Sequence, residues 1–223
     1  MKYFIANWKT YKSLGEAETW IDSFTGKIRA DQKLLDRLNR DEVKIIVCPP
    51  FPLLYPLKKK ITENNLLLGA QNISHFDEGP YTGEVSGKNL QGIADYVIVG
   101  HSERRRYFGE SDEILTKKIN LSLKYGLQPI FCLDNANQPI PNEAKIIAYE
   151  PAKAIGTGDN EPVENVLSFK KSLDLKSTAI FLYGGSVNEN NARDYLSQPE
   201  INGFLISTAS LDPLSFYNIV SLV

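Results

Sequence analysis

Five short polar clusters in the chain each follow directly on an apolar run: Asn7-Trp8-Lys9, Gly100-His101-Ser102-Glu103, Tyr149-Glu150-Pro151, Tyr183-Gly184-Gly185-Ser186 and Ser207-Thr208-Ala209-Ser210. Taken one at a time, each has an ordinary structural reading: Lys9 as a solvated strand end, His101 as a satisfied structural histidine, Glu150 as a surface carboxylate, the Gly-Gly pair as a tight turn. Taken together they supply a base, a polariser that can stay neutral, a fixed cation and a glycine-rich anion cradle. Those are the parts needed to remove a proton next to a carbonyl on a phosphorylated substrate. A carboxylate suits the base because desolvation can lift its pKa toward neutrality, and a histidine opposite it can hydrogen-bond the developing oxyanion. That chemistry requires no metal and no cofactor.

For these clusters to meet, the runs before them must be neighbouring strands. Eight short runs rich in Val, Ile, Tyr and Phe cover residues 3–8, 43–48, 66–70, 96–99, 127–133, 145–149, 179–183 and 203–206. They are continuously hydrophobic rather than strictly alternating, as parallel strands buried on both faces require. Helix signals lie between them. Ser13 with Glu16 forms a capping box, Ser111 precedes Asp112 and Glu113, Pro162 and Pro213 stand in first turns, and Gly126 is a helix stop. Alternating strands and helices without a composition break predict one α/β domain over 1–223, a (β/α)8 TIM barrel, with an open doubly wound sheet as the structural alternative. A barrel works at the carboxyl ends of its strands, where all five clusters fall. One connection breaks the rhythm: residues 134–143 (DNANQPIPNE) are too few and too poor in helix formers for a crossover helix, so strand five passes to strand six without one.

Composition narrows the function classes. The 223 residues carry 25 basic and 27 acidic side chains, a net charge of −2, with 42% apolar residues. This is a folded globule, not a disordered or low-complexity chain. Without a basic excess, the general attraction behind most nucleic-acid binding is missing, and any anion pocket must be built locally. The longest stretches free of charge, 45–57 and 64–76, are too short to span a bilayer. The amino terminus enters a strand at once and meets Lys9 before a signal-peptide core is complete, which reads as a mature start. Cys48 and Cys132 sit inside apolar runs and read as reduced core thiols of a cytosolic protein. His75 and His101 share no metal-ligand spacing with them.

The segments Asn7-Trp8-Lys9, Gly83-Glu84-Val85-Ser86, Val99-Gly100-His101-Ser102-Glu103-Arg104-Arg105, Phe108-Gly109-Glu110-Ser111-Asp112-Glu113, Ala148-Tyr149-Glu150-Pro151, Ala154-Ile155-Gly156-Thr157-Gly158 and Tyr183-Gly184-Gly185-Ser186-Val187 together resemble the triosephosphate isomerase family, end to end and in the family's order. The resemblance implies interconversion of dihydroxyacetone phosphate and glyceraldehyde 3-phosphate through an enediolate, in glycolysis and gluconeogenesis. It implies that Glu150 shuttles the proton and that His101 polarises the carbonyl as a neutral imidazole whose pKa a helix N-terminus lowers. Lys9 would hold a positive charge near oxyanion and phosphate, Asn7 would position substrate oxygens, and Glu103 would support the site from behind. Backbone N–H groups at Gly156, Ser186 and the strand-eight loop, with Ser207 and Thr208, would hold the phosphate, so that a slightly acidic chain can bind a dianion. Residues 151–158 resemble the family's lid, whose exclusion of water suppresses phosphate elimination and strengthens the electrostatics inside. The segment 71–86 resembles the loop that enters a partner subunit and brings Thr82 to the partner's active site. The implied protein is a cytoplasmic homodimer or larger homo-oligomer with no nucleic-acid or membrane partner, and Arg104-Arg105-Arg106 is an ion-pairing cluster beside the site.

Three departures modify this expectation. Lys153 stands where the family carries Trp, which predicts altered lid kinetics with the chemistry retained. Ser207-Thr208 stands where the family carries Gly-Gly, so side chains crowd or supplement the phosphate contacts. Finally, the chain falls short of the roughly 250 residues typical of the barrel, largely at 134–143. A flank without its helix needs either this segment draped over it or another subunit, and an exposed flank predicts an assembly larger than a dimer. Another sugar-phosphate isomerase on this fold, or a phosphosugar-binding scaffold, would explain the phosphate cradle. Neither explains the joint presence of Asn7, Lys9, His101 and Glu150.

Overall fold

The computed structural model describes residues 1–151 and 160–223. Its strands are β1 (Lys2–Asn7), β2 (Val43–Cys48), β3 (Leu67–Ala70), β4 (Tyr96–Val99), β5 (Gln128–Leu133), β6 (Ile146–Tyr149), β7 (Ile180–Tyr183) and β8 (Gly203–Ile206). Each pairs in parallel with its sequence neighbour, and β8 closes on β1 with Phe4 opposite Phe204. Closure removes the open-sheet alternative. Helices α1 (Leu14–Ala30), α2 (Gln32–Asn39), α3 (Phe51–Thr62), α4 (Gly87–Leu90), α5 (Ser102–Phe108), α6 (Asp112–Lys124), α7 (Val163–Ser172), α8 (Ala192–Leu196) and α9 (Pro213–Val220) run outside, with a 3-10 turn at Thr208–Leu211.

The helix boundaries follow their local signals. Ser13 and Glu16 exchange both bonds of the capping box at the start of α1. Asp212 accepts from the Ser215 N–H ahead of Pro213, and Gly126 takes φ +77° after α6. Pro162 differs from expectation: it stands just before α7 rather than in its first turn, so its carbonyl accepts from Asn165 and Val166 but no side chain caps the helix.

The core has two shells, set by the period-2 alternation of the strands. Tyr3, Ile5, Ile46, Ile98, Ile130, Cys132, Ala148, Leu182 and Leu205 fill the barrel. Phe4, Val47, Val99, Phe131, Leu133, Ile147, Tyr149 and Phe204 face the helices.

No helix lies between β5 and β6, as the composition of 134–143 requires. Of the two covers expected for this flank, the structure has the draped segment, and the expectation of an exposed surface serving contact with further subunits is corrected. Phe131, Leu133, Ile147 and Tyr149 point outward and are all buried within the one chain. Ile140 and Ala144 of the connection pack on the same cluster. The Phe169 ring from α7 stacks on Tyr149 with centroids 3.6 Å apart, and the Arg105 guanidinium sits 5.5 Å from the Phe131 centroid. Side chains from both sides thus replace the missing helix. Truncating Phe169 to Ala is expected to lower stability by about 2 kcal/mol, since it removes a half-buried ring and its stacking partner. Urea unfolding midpoints measure this, and Phe169→Leu should recover part of the loss.

Candidate active site

The inward alternation of the strands runs on to their carboxyl ends. It lands on Asn7, the last paired residue of β1, and one residue past the strand on Gln71 from β3, Glu150 from β6, Gly184 from β7 and Ser207 from β8. Glu150 is 2% exposed, and its Oε2 accepts from the Ser102 N–H at 3.3 Å. A Cβ on Gly184 would lie 2.8 Å from the Glu150 Cγ, so glycine there makes room for the carboxylate. The Cys132 thiol is pushed well up by burial and then by the neighbouring Glu150 charge, which keeps it a neutral lining group.

Gly100, at φ +75°, turns the chain out of β4 so that His101 caps α5. His101 Nδ1 accepts from the Glu103 N–H at 3.3 Å. A ring nitrogen that accepts holds a lone pair, so the ring proton sits on Nε2. Nε2 lies 2.9 Å from Glu150 Oε1. Ring and carboxylate are therefore in direct buried contact.

The resemblance implied a lowered His101 pKa, and here the geometry gives the opposite direction. Burial alone pushes it down, but the carboxylates of Glu150 and then Glu103 more than reverse this, and the net displacement is upward. A raised histidine pKa stabilises the fold fully below pH 6.5, and that contribution fades as pH climbs through the folded-state value.

Lys9 leaves β1 with φ +50°, and its Nζ lies 2.6 Å from Glu103 Oε1. The Asn7 Oδ1 accepts from the Lys9 N–H at 3.1 Å. Gln71 gathers this corner: its Nε2 donates to the carbonyls of Lys9 at 2.7 Å and Cys48 at 2.8 Å, pinning the ends of β1 and β2 from β3. The sequence reading passed over Gln71, although its inward place one residue past β3 is the same signal that marks Glu150. Asn7, Lys9, Gln71, His101 and Glu103 line one cleft of about 530 Å³.

On the β7–β8 side, Ser186 is half-buried and its carbonyl accepts from the Asn191 side chain at 2.8 Å. Ser207 is half-buried and Thr208 exposed, at the head of the 3-10 turn. Glu150, which meets the cleft through His101, and Ser186, Ser207 and Thr208 are not among the residues that line it. Gly156, Lys153 and the rest of the lid resemblance at 152–158 lie outside the described residues. Glu161 is held by a pair of tyrosines that no motif in the sequence links. The Tyr183 hydroxyl accepts from the Glu161 N–H at 2.9 Å, while the Tyr195 hydroxyl donates to the Glu161 carbonyl. The two rings stack 4.5 Å apart.

Of the expected ion-pairing cluster, Arg104 pairs with Glu110 at 2.5 Å and Arg105 with Asp112 at 3.1 Å, whereas Arg106 lies 5.3 Å from the Tyr107 ring centroid. Thr82 is exposed on the 71–86 loop and does not line the cleft. Among the described residues no three His, Cys, Asp or Glu side chains gather as metal ligands, and no helix is long and apolar enough to cross a membrane.

The triosephosphate isomerase family model matches residues 2–144 and 136–223, and the two matches meet in the connection that lacks a helix. The triosephosphate isomerase of Dictyoglomus thermophilum is 36% identical over 253 aligned residues, covering 98% of each chain. That of Aquifex aeolicus is 37% identical over 96% of each chain, and that of Carboxydothermus hydrogenoformans 38% over 98% of each.

If Glu150 is what raises the His101 pKa, Glu150→Gln should lower it. With only two histidines in the chain, an imidazole NMR titration resolves both: the His101 midpoint is expected to fall in the variant while that of His75 stays put. An unmoved His101 midpoint would show that the contact does not control the ring.

Proposed function

The chain belongs to the triosephosphate isomerase family and is an aldose–ketose isomerase of triose phosphates, and from that premise we propose that Glu150 carries the proton between the two substrate carbons through an enediolate. One observation bears most of this reading. A buried carboxylate and an imidazole N–H face each other at 2.9 Å at the rim of the barrel, a base and a donor placed to act on a C–H bond and its neighbouring carbonyl at once.

Glu150 takes the C1 proton of dihydroxyacetone phosphate. The C–H electron pair becomes the C1–C2 double bond, and the carbonyl pair moves onto the C2 oxygen, where the His101 Nε2–H and the Lys9 ammonium stabilise it. Transfer of the hydroxyl proton from O1 to O2 and return of the carbon-bound proton from Glu150 to C2 give glyceraldehyde 3-phosphate. Asn7 orients the substrate oxygens, and Glu103 holds Lys9 in place through its 2.6 Å ion pair. The phosphate is held by the N–H groups of Ser186, Ser207 and Thr208, with Gly156 and the 151–158 lid closing the site. A short 3-10 turn presents N–H groups that have no partner within the turn, which supports the strand-eight loop in this role.

The reading extends to a homodimer joined through 71–86. The Phe76 and Tyr81 rings stack 4.1 Å apart on that loop and are both exposed, as are Tyr11, Tyr107 and Phe108 around the cleft. Asp77 stiffens the loop by accepting from the Tyr125 hydroxyl at 2.5 Å and from Lys124. A second copy's loop seated beside Asn7 and Lys9 would cover both apolar surfaces. Cytoplasmic glycolysis and gluconeogenesis suit the two free, buried cysteines.

In a coupled assay with glyceraldehyde 3-phosphate, Glu150→Gln is expected to lose on the order of 10³-fold in kcat at nearly unchanged KM. Wild-type protein that binds phosphosugars without turning them over would overturn the isomerase in favour of a binding protein. Thr82→Arg should convert the dimer to a monomer in light scattering, with a large fall in turnover; a dimer that survives the substitution unaltered places the interface elsewhere.

A further inference from the structure

Among the described residues four non-glycine positions take left-handed φ angles: Asp41, Asn65, Lys9 and Lys12. Aspartate and asparagine tolerate that region, whereas a lysine occupies it against a steric cost. Such a position persists only where its surroundings overdetermine it. Lys9 belongs to the site already described. Lys12, at φ +77°, has no role in the mechanism above, yet it stands three residues further along the same loop.

Its side chain crosses to another part of the rim. The Lys12 Nζ donates to the Leu211 carbonyl at 2.7 Å and lies 5.4 Å from the centroid of the Trp8 ring. Glu16 and Asp212 face it with their carboxylates. Leu211 closes the 3-10 turn that Ser207 opens. At the opening end, the Ser207 carbonyl folds back to accept from the Ser210 N–H at 3.0 Å and its hydroxyl at 2.6 Å. In a planar trans peptide the carbonyl and the next N–H point opposite ways, so the Thr208 N–H is turned away from the turn. Ser210 sets that orientation at one end of the turn, and Lys12 anchors the other end to the loop that carries Lys9 and follows Asn7.

We propose that Lys12 is a positioning residue for the phosphate end of the substrate, a strap that holds the strand-eight turn at a fixed distance from Asn7 and Lys9. It rests on the reading of the chain as a triose phosphate isomerase whose strand-eight turn binds the phosphate. The strap meets a specific demand. Carbonyl and phosphate groups are three carbons of one small molecule, so groups on β1 and β8 must keep their spacing for both to be engaged at once.

The test compares Lys12→Met, Lys12→Arg and Lys12→Gly with wild type in kcat and KM for glyceraldehyde 3-phosphate, in competitive inhibition by inorganic phosphate, in turnover of unphosphorylated D-glyceraldehyde, and in melting temperature. Lys12→Met is expected to raise the KM and the phosphate inhibition constant by about tenfold, the scale of one hydrogen bond from a charged donor, with a smaller change in kcat. D-Glyceraldehyde turnover should be nearly unaffected, and Lys12→Arg should restore most of the phosphate affinity. Lys12→Gly separates function from fold: glycine relieves the left-handed backbone, so the variant should melt no lower than wild type while showing the same loss of phosphate binding. Unchanged phosphate inhibition in Lys12→Met and Lys12→Gly overturns the strap, as does an equal loss with D-glyceraldehyde. Wild-type turnover without competition by phosphate would instead overturn the phosphate-binding turn on which the strap rests.

Discussion

A closed barrel of parallel strands leaves its interior to every second side chain, and that alternation organises everything else in this molecule. Inside the barrel the inward positions are filled by Ile, Leu, Ala, Cys and Tyr packed against one another. At the carboxyl rim the inward positions end in a polar layer. Asn7, Gln71, Glu150 and Ser207 occupy that layer, and Gly184 leaves a space in it. A polar residue is affordable there because it meets its partners across a few ångströms of rim, whereas a layer lower it would face only hydrocarbon.

The same closure explains the site's electrostatics. Glu150 is almost wholly buried, and its charge is met by the Ser102 N–H at the start of α5 and by the His101 ring at 2.9 Å. His101 in turn feels burial and two carboxylates at once, and the charges win. Lys9 is held by Glu103, the residue whose own N–H fixes the His101 tautomer. Cation and polariser are thus set by one short segment, with Gln71 tying its partner loop to the wall of the barrel.

Loss of a crossover helix leaves this arrangement intact because a helix in a barrel serves to cover the outer face of its strands. Phe169, Arg105, Ile140 and Ala144 do that here with much less chain. Since Tyr149 directly precedes Glu150, the ring that stacks on it also steadies the strand end that delivers the carboxylate.

The eight strands were legible to within a residue, as were the helix ends at Ser13, Ser111, Pro213 and Gly126, because periodicity and capping depend only on near neighbours in the chain. The absence of a helix at 134–143 was legible for the same reason, and five polar clusters at strand ends marked where chemistry would gather. Contacts between distant segments were not. The cover over β5 and β6, the Gln71 bridge, the tyrosine pair on Glu161, the Lys12 strap and the upward direction of the His101 pKa each join residues from separate elements that meet only when the strands and helices assemble, the Lys12 strap across the β8–β1 closure itself. Amino-acid types and spacing therefore determined which groups stand at the rim; the tertiary structure decided which of them touch, because direction and distance between strands are properties of the closed barrel and of no single run within it.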